Sequence, residues 1–331
     1  MKNEYRVTMQ EPIHSGFGPR TTAEEALGGQ DLKGKVVIIT GGYSGLGLET
    51  TKVLAKAGAT VIVPVRSPEK AKTLVESVPG VEIESLDLMD PDSIDAFAQR
   101  FLDSNRPLHI LIHSAGIMAV PLLRDSRGYE HHFSTNHLGH FQLTARLWPA
   151  LKKSEGARIV SVSSRAVKLS SIDLEDPNFE HQEYDKWIAY ARSKTANALF
   201  AVEMDKKGSA YGVRSFSVHP GTIATDLSKN LTDDEMRAMG ALNEKGERVL
   251  SEYNDEFKTI EEGAATIVWC AASRQLDGMG GVYCENSNIA EIVSDDTNPF
   301  LAGVYPRVVD PGLAEKLWVL SEKLIGFKFN L

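Results

Sequence analysis

The run Val36-Val37-Ile38-Ile39, followed at once by a glycine-rich segment, limits the possible folds more than any other sequence feature. A short, continuous run of β-branched residues is typical of a strand buried on both faces of a parallel sheet. Residues 48–57 then favour a helix, and residues 60–64 favour a second strand. This succession predicts a βαβ unit whose glycines lie at the turn from strand to helix.

The glycine-rich segment reads Thr40-Gly41-Gly42-Tyr43-Ser44-Gly45-Leu46-Gly47. Glycine at such a turn lets the backbone approach a pyrophosphate, whose charge is favoured by the free N–H groups and positive dipole of the helix start. The segment therefore predicts a dinucleotide-binding loop. Its expected cofactor contacts are Gly41, Tyr43, Ser44, Gly45, Leu46 and Gly47.

The residue after the second strand bears on the choice of cofactor. An acidic residue there would bind the ribose 2′-hydroxyl of NAD, but this chain has Val65-Arg66. An arginine can hold a 2′-phosphate through charge-assisted hydrogen bonds, so the sequence favours NADP(H) over NAD(H). The alternative is that Arg66 is only a surface charge before the next helix.

Strands and helices continue to alternate along the chain, with further strands expected at 81–86, 109–113, 158–164, 213–218 and 281–284. This rhythm predicts an α/β protein, a single-domain Rossmann fold whose doubly wound parallel sheet of about seven strands has helices on both faces. Ligands of such sheets bind beyond the carboxyl ends of the strands. We expect that rim to hold Gly41, Asp87 with its neighbour Leu88, Ala115 and Gly116. Asp87 would accept from an adenine amino group or serve only as a turn residue.

Tyr190 and Lys194 lie four residues apart on one face of a helix expected over residues 187–206. An ordinary phenol has a pKa of about 10, and a nearby ammonium lowers that pKa toward the neutral range. The pair therefore predicts a tuned proton donor. The alternative is an exposed helix face without chemistry. The strand at 158–164 delivers Ser164 to the same rim.

Composition excludes several classes of function. The net charge of −9 and the lack of a basic cluster argue against a nucleic-acid partner. The two cysteines, Cys270 and Cys284, lack metal-ligand spacing, so we expect buried thiols and no metal site. No apolar run approaches the roughly 20 residues of a membrane span, and the first residues do not resemble a signal peptide. These features predict a cytoplasmic protein without a membrane span.

The expected organisation is an N-terminal extension (1–33), the Rossmann domain (34–285) and a C-terminal extension (286–331). The first would be a disordered tail or a packed arm, with a capping box of Thr21 or Thr22 before a short helix. Residues 222–260 would form a substrate lid, and 170–186 a loop that borders the substrate mouth or decorates the surface. An amphipathic helix at 313–324 would cover a subunit interface or the back of the sheet.

Over residues 33–285 the sequence resembles the short-chain dehydrogenase/reductase family. The glycine motif, the Asn136 segment, Ser164 with Tyr190 and Lys194, and Pro220-Gly221 with Thr225 occur in family order. The run Asn136-His137-Leu138-Gly139-His140-Phe141 is similar to the retinol-dehydrogenase-like branch. One departure is His113-Ser114, where the family usually has two asparagines, so imidazole and hydroxyl groups must make those hydrogen bonds.

The resemblance implies hydride transfer between a nicotinamide cofactor and a carbonyl or alcohol substrate of small size. Tyr190 would exchange the proton with the substrate oxygen, Ser164 would hydrogen-bond that oxygen, Lys194 would bind the nicotinamide ribose, and Asn136 would hold a relay water. Further implied cofactor contacts are Ala115, Gly116, Pro220, Gly221 and Thr225.

The resemblance also implies a homodimer or homotetramer paired through the helices that contain Asn136 and Tyr190. The alternatives to an enzyme of this kind are a non-catalytic dinucleotide sensor or scaffold on the same fold, and an epimerase or dehydratase of the extended branch.

Overall fold

The computed structural model describes residues 7–69, 71, 78–223, 225–238, 242, 246 and 255–329. Its strands are β1 Val36–Thr40, β2 Thr60–Val65, β3 Val81–Ser85, β4 Ile110–His113, β5 Arg158–Val162, β6 Arg214–His219, β7 Val282–Glu285 and β8 Asn288–Ile289. They form one sheet in the order β3-β2-β1-β4-β5-β6-β7-β8. All neighbours are parallel except β8, which pairs antiparallel with β7. The predicted parallel α/β sheet is confirmed, and the count of about seven strands rises to eight.

Helices cover both faces of this sheet. The α-helices are α1 Ala23–Leu27, α2 Gly45–Lys56, α3 Pro91–Asp103, α4 Gly139–Lys152, α5 Lys186–Gly208, α6 Asp233–Ala238, α7 Ile260–Ala272 and α8 Pro311–Ile325. Val37 and Ile39 point into one core with α1, α2 and α7. Ile38, between them, points into a second core with α3, α4 and α5. The period-two alternation of β1 thus builds two cores, as expected of a doubly wound sheet.

The N-terminal extension is a packed arm from residue 7 onward. The Gln10 side-chain amide donates to the carbonyls of Tyr283 and Ala290, each at 2.7 Å, and Arg20 pairs with Glu262 at 2.9 Å. Thr22 and Glu25 form the predicted capping box at the start of α1. Of the two possibilities for this region, the structure therefore has the arm.

The sequence also predicts a long helix over residues 129–151, and in the structure this helix begins two residues later, at residue 131. The carboxylate of Asp125 accepts the N–H of Tyr129 at 3.0 Å, and this turn delays the helix. Residues Phe133–Leu138 then form a π-helical segment before α4. In it the N–H of Gly139 donates to the carbonyl of Ser134, a five-residue step.

The C-terminal extension places α8 against α4 and α5. The Trp318 ring lies 4.8 Å from the Phe141 ring and stacks on the Phe200 ring at 6.0 Å, measured between centroids. Phe329 packs on Trp318 at 4.9 Å. Among the described residues, none of the helices combines the length and the apolar character needed to cross a bilayer.

Candidate active site

A cavity of about 1060 Å³ opens at the carboxyl ends of the strands. The strand order reverses between β1 and β4, and this reversal separates the loops that follow the two strands, so a crevice forms there. The cavity wall contains the predicted residues Gly41, Tyr43, Ser44, Gly45, Leu46, Gly47, Arg66, Asp87, Leu88, Ala115, Gly116, Ser164, Tyr190, Lys194, Pro220, Gly221 and Thr225. Asn136 alone of the predicted residues lies outside the described lining.

The glycine loop is shaped as a cradle. A Cβ on Gly47 would lie 2.2 Å from the Gly41 carbonyl oxygen, and one on Gly41 would lie 2.9 Å from the Ala115 backbone nitrogen. Within the described part of the chain, no side chain caps the N-terminus of α2, and no acidic residue occupies its first turn. These first N–H groups and the helix dipole face the cavity, and this arrangement fits the pyrophosphate of a dinucleotide.

Thr40 ties the loop after β1 to the loop after β4. Its hydroxyl oxygen accepts the N–H groups of Ser114 at 3.1 Å and Ala115 at 3.2 Å. His140 Nε2 lies 2.8 Å from the same hydroxyl, and His140 Nδ1 lies 2.9 Å from the Asn136 carbonyl. The carbonyl can only accept, so we assign the proton of neutral His140 to Nδ1. Burial lowers the pKa of His140 to about 4, which keeps the ring neutral.

His113, which stands where the family usually has an asparagine, makes hydrogen bonds through both of its ring nitrogens. Its Nδ1 lies 3.1 Å from the Ser161 hydroxyl and its Nε2 lies 3.0 Å from the Thr144 hydroxyl. The ring also stacks on His140 at 4.5 Å. Burial, with a smaller effect of His140, lowers the pKa of His113 well below its usual value. The end of β4 is therefore held by neutral, paired groups.

Tyr190 and Lys194 share one face of α5, and both are almost fully buried. Burial raises the pKa of Tyr190 to about 12, an effect that the hydrogen bond with Ser164 partly offsets. This direction is opposite to the lowering expected from Lys194. The ammonium lies 5.8 Å from the Tyr190 ring centroid and donates to the Val162 carbonyl at 2.9 Å. Burial lowers the pKa of Lys194 itself to about 8.

Asn136 sits behind the cavity wall on the π-helical segment. Its side chain accepts the N–H of Ile117 at 2.9 Å, and it donates to the Ile117 carbonyl at 3.0 Å and to the Ser193 hydroxyl at 2.9 Å. A Cβ on Gly116 would lie 3.2 Å from Asn136 Oδ1 and 3.4 Å from Lys194 Nζ. Asn136 is thus adjacent to the wall, and its side-chain amide is engaged with protein groups.

Two predicted residues lie at the end of the cavity formed by β2 and β3. Arg66 follows β2 directly, and its side chain is exposed on the cavity wall. The Asp87 carboxylate accepts the N–H of Met89 at 3.0 Å, and its own N–H donates to Ser93 at 2.9 Å. Asp87 is therefore a turn residue in this structure. Because it also lies on the cavity wall, its carboxylate can still accept a hydrogen bond from a ligand.

The turn after β6 completes the rim. Gly221 has a left-handed φ of +96°, and a Cβ there would lie 2.9 Å from the Glu256 carbonyl oxygen. Thr225 lies beside the glycine loop, since its Cγ2 is 3.3 Å from the position of a Cβ on Gly45. Its hydroxyl accepts the N–H of Leu227 and begins the 3₁₀ turn Asp226–Asn230.

The expected lid, 222–260, is described in part, and residues 224, 239–241, 243–245 and 247–254 lie outside the described residues. The described part contains α6, which is attached to α5 because Glu235 pairs with Lys186 at 2.6 Å and accepts from Trp187 at 3.3 Å. Residues 243–253 of the expected lid, which are charged and helix-prone in sequence, lie outside the described residues except for Gly246. Leu169 and Trp187, which flank the insertion 170–186, belong to the described cavity lining, whereas the insertion itself contributes no residue to it.

Several residues of the cavity lining were not predicted from the sequence. Examples are Arg165 and Glu256, paired at 3.0 Å, and Trp187, Pro299 and Phe300. Arg165 and Trp187 are neighbours of predicted catalytic residues in sequence, which is a usable signal. Pro299 and Phe300 are remote in sequence from every motif, so only the folded chain brings them to the cavity.

The chain matches the family described as short chain dehydrogenase over residues 35–236. A probable oxidoreductase of Streptomyces lividans is 41% identical over 87% of this chain and 96% of its own. Retinol dehydrogenase 12 of Homo sapiens is 36% identical over 90% of this chain and 89% of its own. A crystal structure of an uncharacterized protein from Mycobacterium paratuberculosis has a TM-score of 0.69 at 33% identity, covering 91% of this chain and 97% of that one.

The chain therefore belongs to the short-chain dehydrogenase/reductase family, as the sequence predicted. The similarity to retinol dehydrogenase 12 agrees with the predicted branch. The family and the named relatives together support an NAD(P)-dependent oxidoreductase.

Proposed function

We propose that this member of the short-chain dehydrogenase/reductase family transfers a hydride between NADP(H) and a carbonyl compound or its alcohol. The observation that carries the proposal is that Ser164, Tyr190 and Lys194 line the same cavity as the glycine cradle. The cradle would hold the pyrophosphate of a dinucleotide, and these three side chains would be available to its nicotinamide end and to the substrate. The bound nicotinamide supplies or accepts the hydride.

The protein supplies the proton chemistry. Tyr190, with its pKa raised to about 12 by burial, is protonated over the neutral range and can donate to a substrate oxygen that gains negative charge. Ser164 is a second hydroxyl donor to that oxygen. Lys194 contributes a positive charge near the nicotinamide ribose. Asn136 positions the Gly116–Ile117 backbone at the wall, and in our proposal it also orients the relay water.

The preference for NADP(H) rests on Arg66. Its guanidinium lies on the wall after β2, where the adenosine ribose of a dinucleotide would bind. Neither Val65 nor Arg66 carries a carboxylate. At these two positions a 2′-phosphate would therefore meet a positive charge and no negative charge. Asp87 and Leu88 would flank the adenine, and Thr225 with Pro220 and Gly221 the nicotinamide side.

The direct test is fluorescence titration of the purified protein with NADPH and NADH, followed by a screen for carbonyl-dependent NADPH oxidation. We expect tight NADPH binding, weaker NADH binding and turnover with at least one carbonyl class. A Gly47→Ala variant should lose both cofactors because its Cβ would meet the Gly41 carbonyl, whereas Gly18→Ala, at an open site, should not. Binding of neither cofactor by the wild type would contradict the proposal and favour the scaffold alternative.

For assembly, the expected homodimer or homotetramer would pair through the helix that contains Asn136, which comprises the π-helical segment and α4, and through α5 with Tyr190. Trp318 and Phe329 pack on aromatic side chains of these helices within the same chain. We therefore propose that any homo-oligomer uses a surface other than the one that α8 covers. The single domain with a lid at 222–260 and the cytoplasmic location also stay predictions.

A further inference from the structure

A loop of the C-terminal extension reaches the cavity that contains Tyr190. We call residues 294–303 the mouth loop. Its residues Pro299 and Phe300 line the same cavity as Ser164 and Tyr190. Phe300 nevertheless leaves 73% of its surface exposed. A large aromatic side chain that is both part of a cavity wall and open to solvent is positioned to be covered by a bound ligand.

The mouth loop is fastened to the segment that directly follows Ser164. That segment is the 3₁₀ turn Arg165–Lys168. The Arg165 guanidinium donates to the Gly303 carbonyl at 3.2 Å, and the Lys168 ammonium donates to the Leu301 carbonyl at 2.8 Å. In return, Arg307 donates to the Lys168 carbonyl at 2.9 Å. These bonds fix Phe300 relative to Ser164, although the two residues are far apart in sequence.

Lys168 shows that this attachment is built into the core. The side chain is almost fully buried, and its ammonium lies 4.8 Å from the Tyr305 ring centroid. Tyr305 in turn donates its hydroxyl proton to the Thr297 carbonyl, and Asp295 pairs with Arg307 at 2.7 Å. The mouth loop is thus tied at both ends and in its middle.

Much of the cavity lining is apolar. In addition to Phe300, the described lining contains the apolar residues Leu169, Trp187, Leu227, Leu231, Met236 and Phe257, and it also contains the polar residues Ser228, Lys229 and Asn230. The charged residues Arg165 and Glu256 are paired with each other at 3.0 Å, so their charges are already compensated. A ligand that covers Phe300 and these apolar residues therefore gains by burying apolar surface.

We propose that Phe300 is a specificity-determining residue that packs on an apolar substituent of the substrate beyond the reacting carbonyl. This inference rests on the proposed function. It adds that the preferred substrates carry an extended aliphatic or aromatic group, which reaches from the Tyr190 end of the cavity to the mouth loop.

The test compares NADPH-dependent reduction of straight-chain aldehydes from butanal to decanal. In the wild type, kcat/KM should rise with chain length. Phe300→Ala should lose about tenfold in kcat/KM for decanal, with less than a twofold change for butanal, since an apolar contact of this size contributes about tenfold or more to discrimination. Phe300→Leu should restore most of the loss.

The control is Val319→Ala, at an exposed site on α8. This variant should keep the wild-type kcat/KM for every aldehyde. Two results would overturn the proposed role of Phe300 and leave the proposed function intact. One is an equal loss of kcat/KM for butanal and decanal in Phe300→Ala, and the other is a wild-type kcat/KM that does not depend on chain length. NADPH binding without reduction of any aldehyde would contradict the proposed function. In that case, binding of 1-decanol followed by tryptophan fluorescence still tests the contact, because Phe300→Ala should weaken it and equal binding would refute it.

Discussion

Asn136 and Ile117 form a closed amide pair, in which the Asn136 side chain accepts the Ile117 N–H and donates to the Ile117 carbonyl, at 2.9 and 3.0 Å. The pair copies the hydrogen bonding of neighbouring strands and fixes the chain just beyond β4. Gly116 lies between this pair and Lys194. The position of the Lys194 ammonium and the path of the chain after β4 are therefore linked.

Replacing Asn136 by alanine should destabilise the protein as well as reduce activity. The substitution leaves the N–H and carbonyl of the half-buried Ile117 without their partner, and we expect it to cost about 1–3 kcal/mol of unfolding free energy. Denaturant unfolding measures the loss of free energy. An unchanged unfolding midpoint would show that water replaces the amide without cost.

Tyr190→Phe should abolish chemistry and spare the fold. The ring is buried and keeps its packing, whereas the proton donor is lost, so kcat should fall about 100- to 10,000-fold. The dissociation constant for NADPH should stay near the wild-type value. Turnover close to that of the wild type would exclude Tyr190 as the proton donor.

Arg66→Ala should weaken NADPH selectively. Loss of charge-assisted bonds to a 2′-phosphate should raise the dissociation constant for NADPH about 10- to 100-fold, with little effect on NADH. The matched control is Arg274→Ala, which removes another exposed arginine that is not part of the described cavity lining. If the two cofactors respond alike to Arg66→Ala, the arginine does not contact the 2′-phosphate.

The rate of carbonyl reduction should fall as the pH rises through about 8, because the buried Lys194 ammonium then loses its proton. The pKa of Lys194 in the folded protein lies below the ordinary value of 10.5. As the pH rises from about 8 toward 10.5, the titration of Lys194 therefore makes the folded state more stable. Loss of the folded state through this group would not explain a falling rate.

Lys194→Arg is the control for this pH profile, since a guanidinium keeps its charge throughout the range. Its residual activity should be lower but should stay level through pH about 8. The same decline in the variant would assign the titration to another group.

Trp318→Ala should cost about 3–5 kcal/mol of unfolding free energy, the usual loss for a buried tryptophan. It should also uncover Phe141 and Phe200 on α4 and α5. Val319→Ala, the exposed neighbour, should change stability by less than about 0.5 kcal/mol. Light scattering would then show whether self-association increases only in the Trp318 variant.

The sequence predicted the elements that carry strong local patterns. The β-branched run before Gly41 and the glycines after it determine β1, the cradle and α2, because backbone conformation there depends on the residues themselves. The short strand β8 was not predicted, since two residues such as Asn288 and Ile289 have no measurable period. Its pairing with β7 comes from the turn that joins them.

Other features depend on contacts remote in sequence. Phe300 reaches the cavity because Arg165 and Lys168 bind the carbonyls of the mouth loop, and no local pattern encodes that. The pKa of Tyr190 was predicted in the wrong direction because the sequence shows the spacing to Lys194 but neither the burial of the phenol nor the 5.8 Å between ammonium and ring.

The π-helical segment at Phe133–Leu138 makes the structure around Asn136 depend on the exact number of residues in this part of the chain. A π turn holds one residue more than an α turn, so loss of any one codon within the segment would let it relax into a regular α-helix. The helix on either side of the segment would keep its orientation, but residues within it would shift by one position, and the amide of Asn136 would lose its register with Ile117. We therefore expect this stretch to tolerate conservative replacements better than a single in-frame deletion.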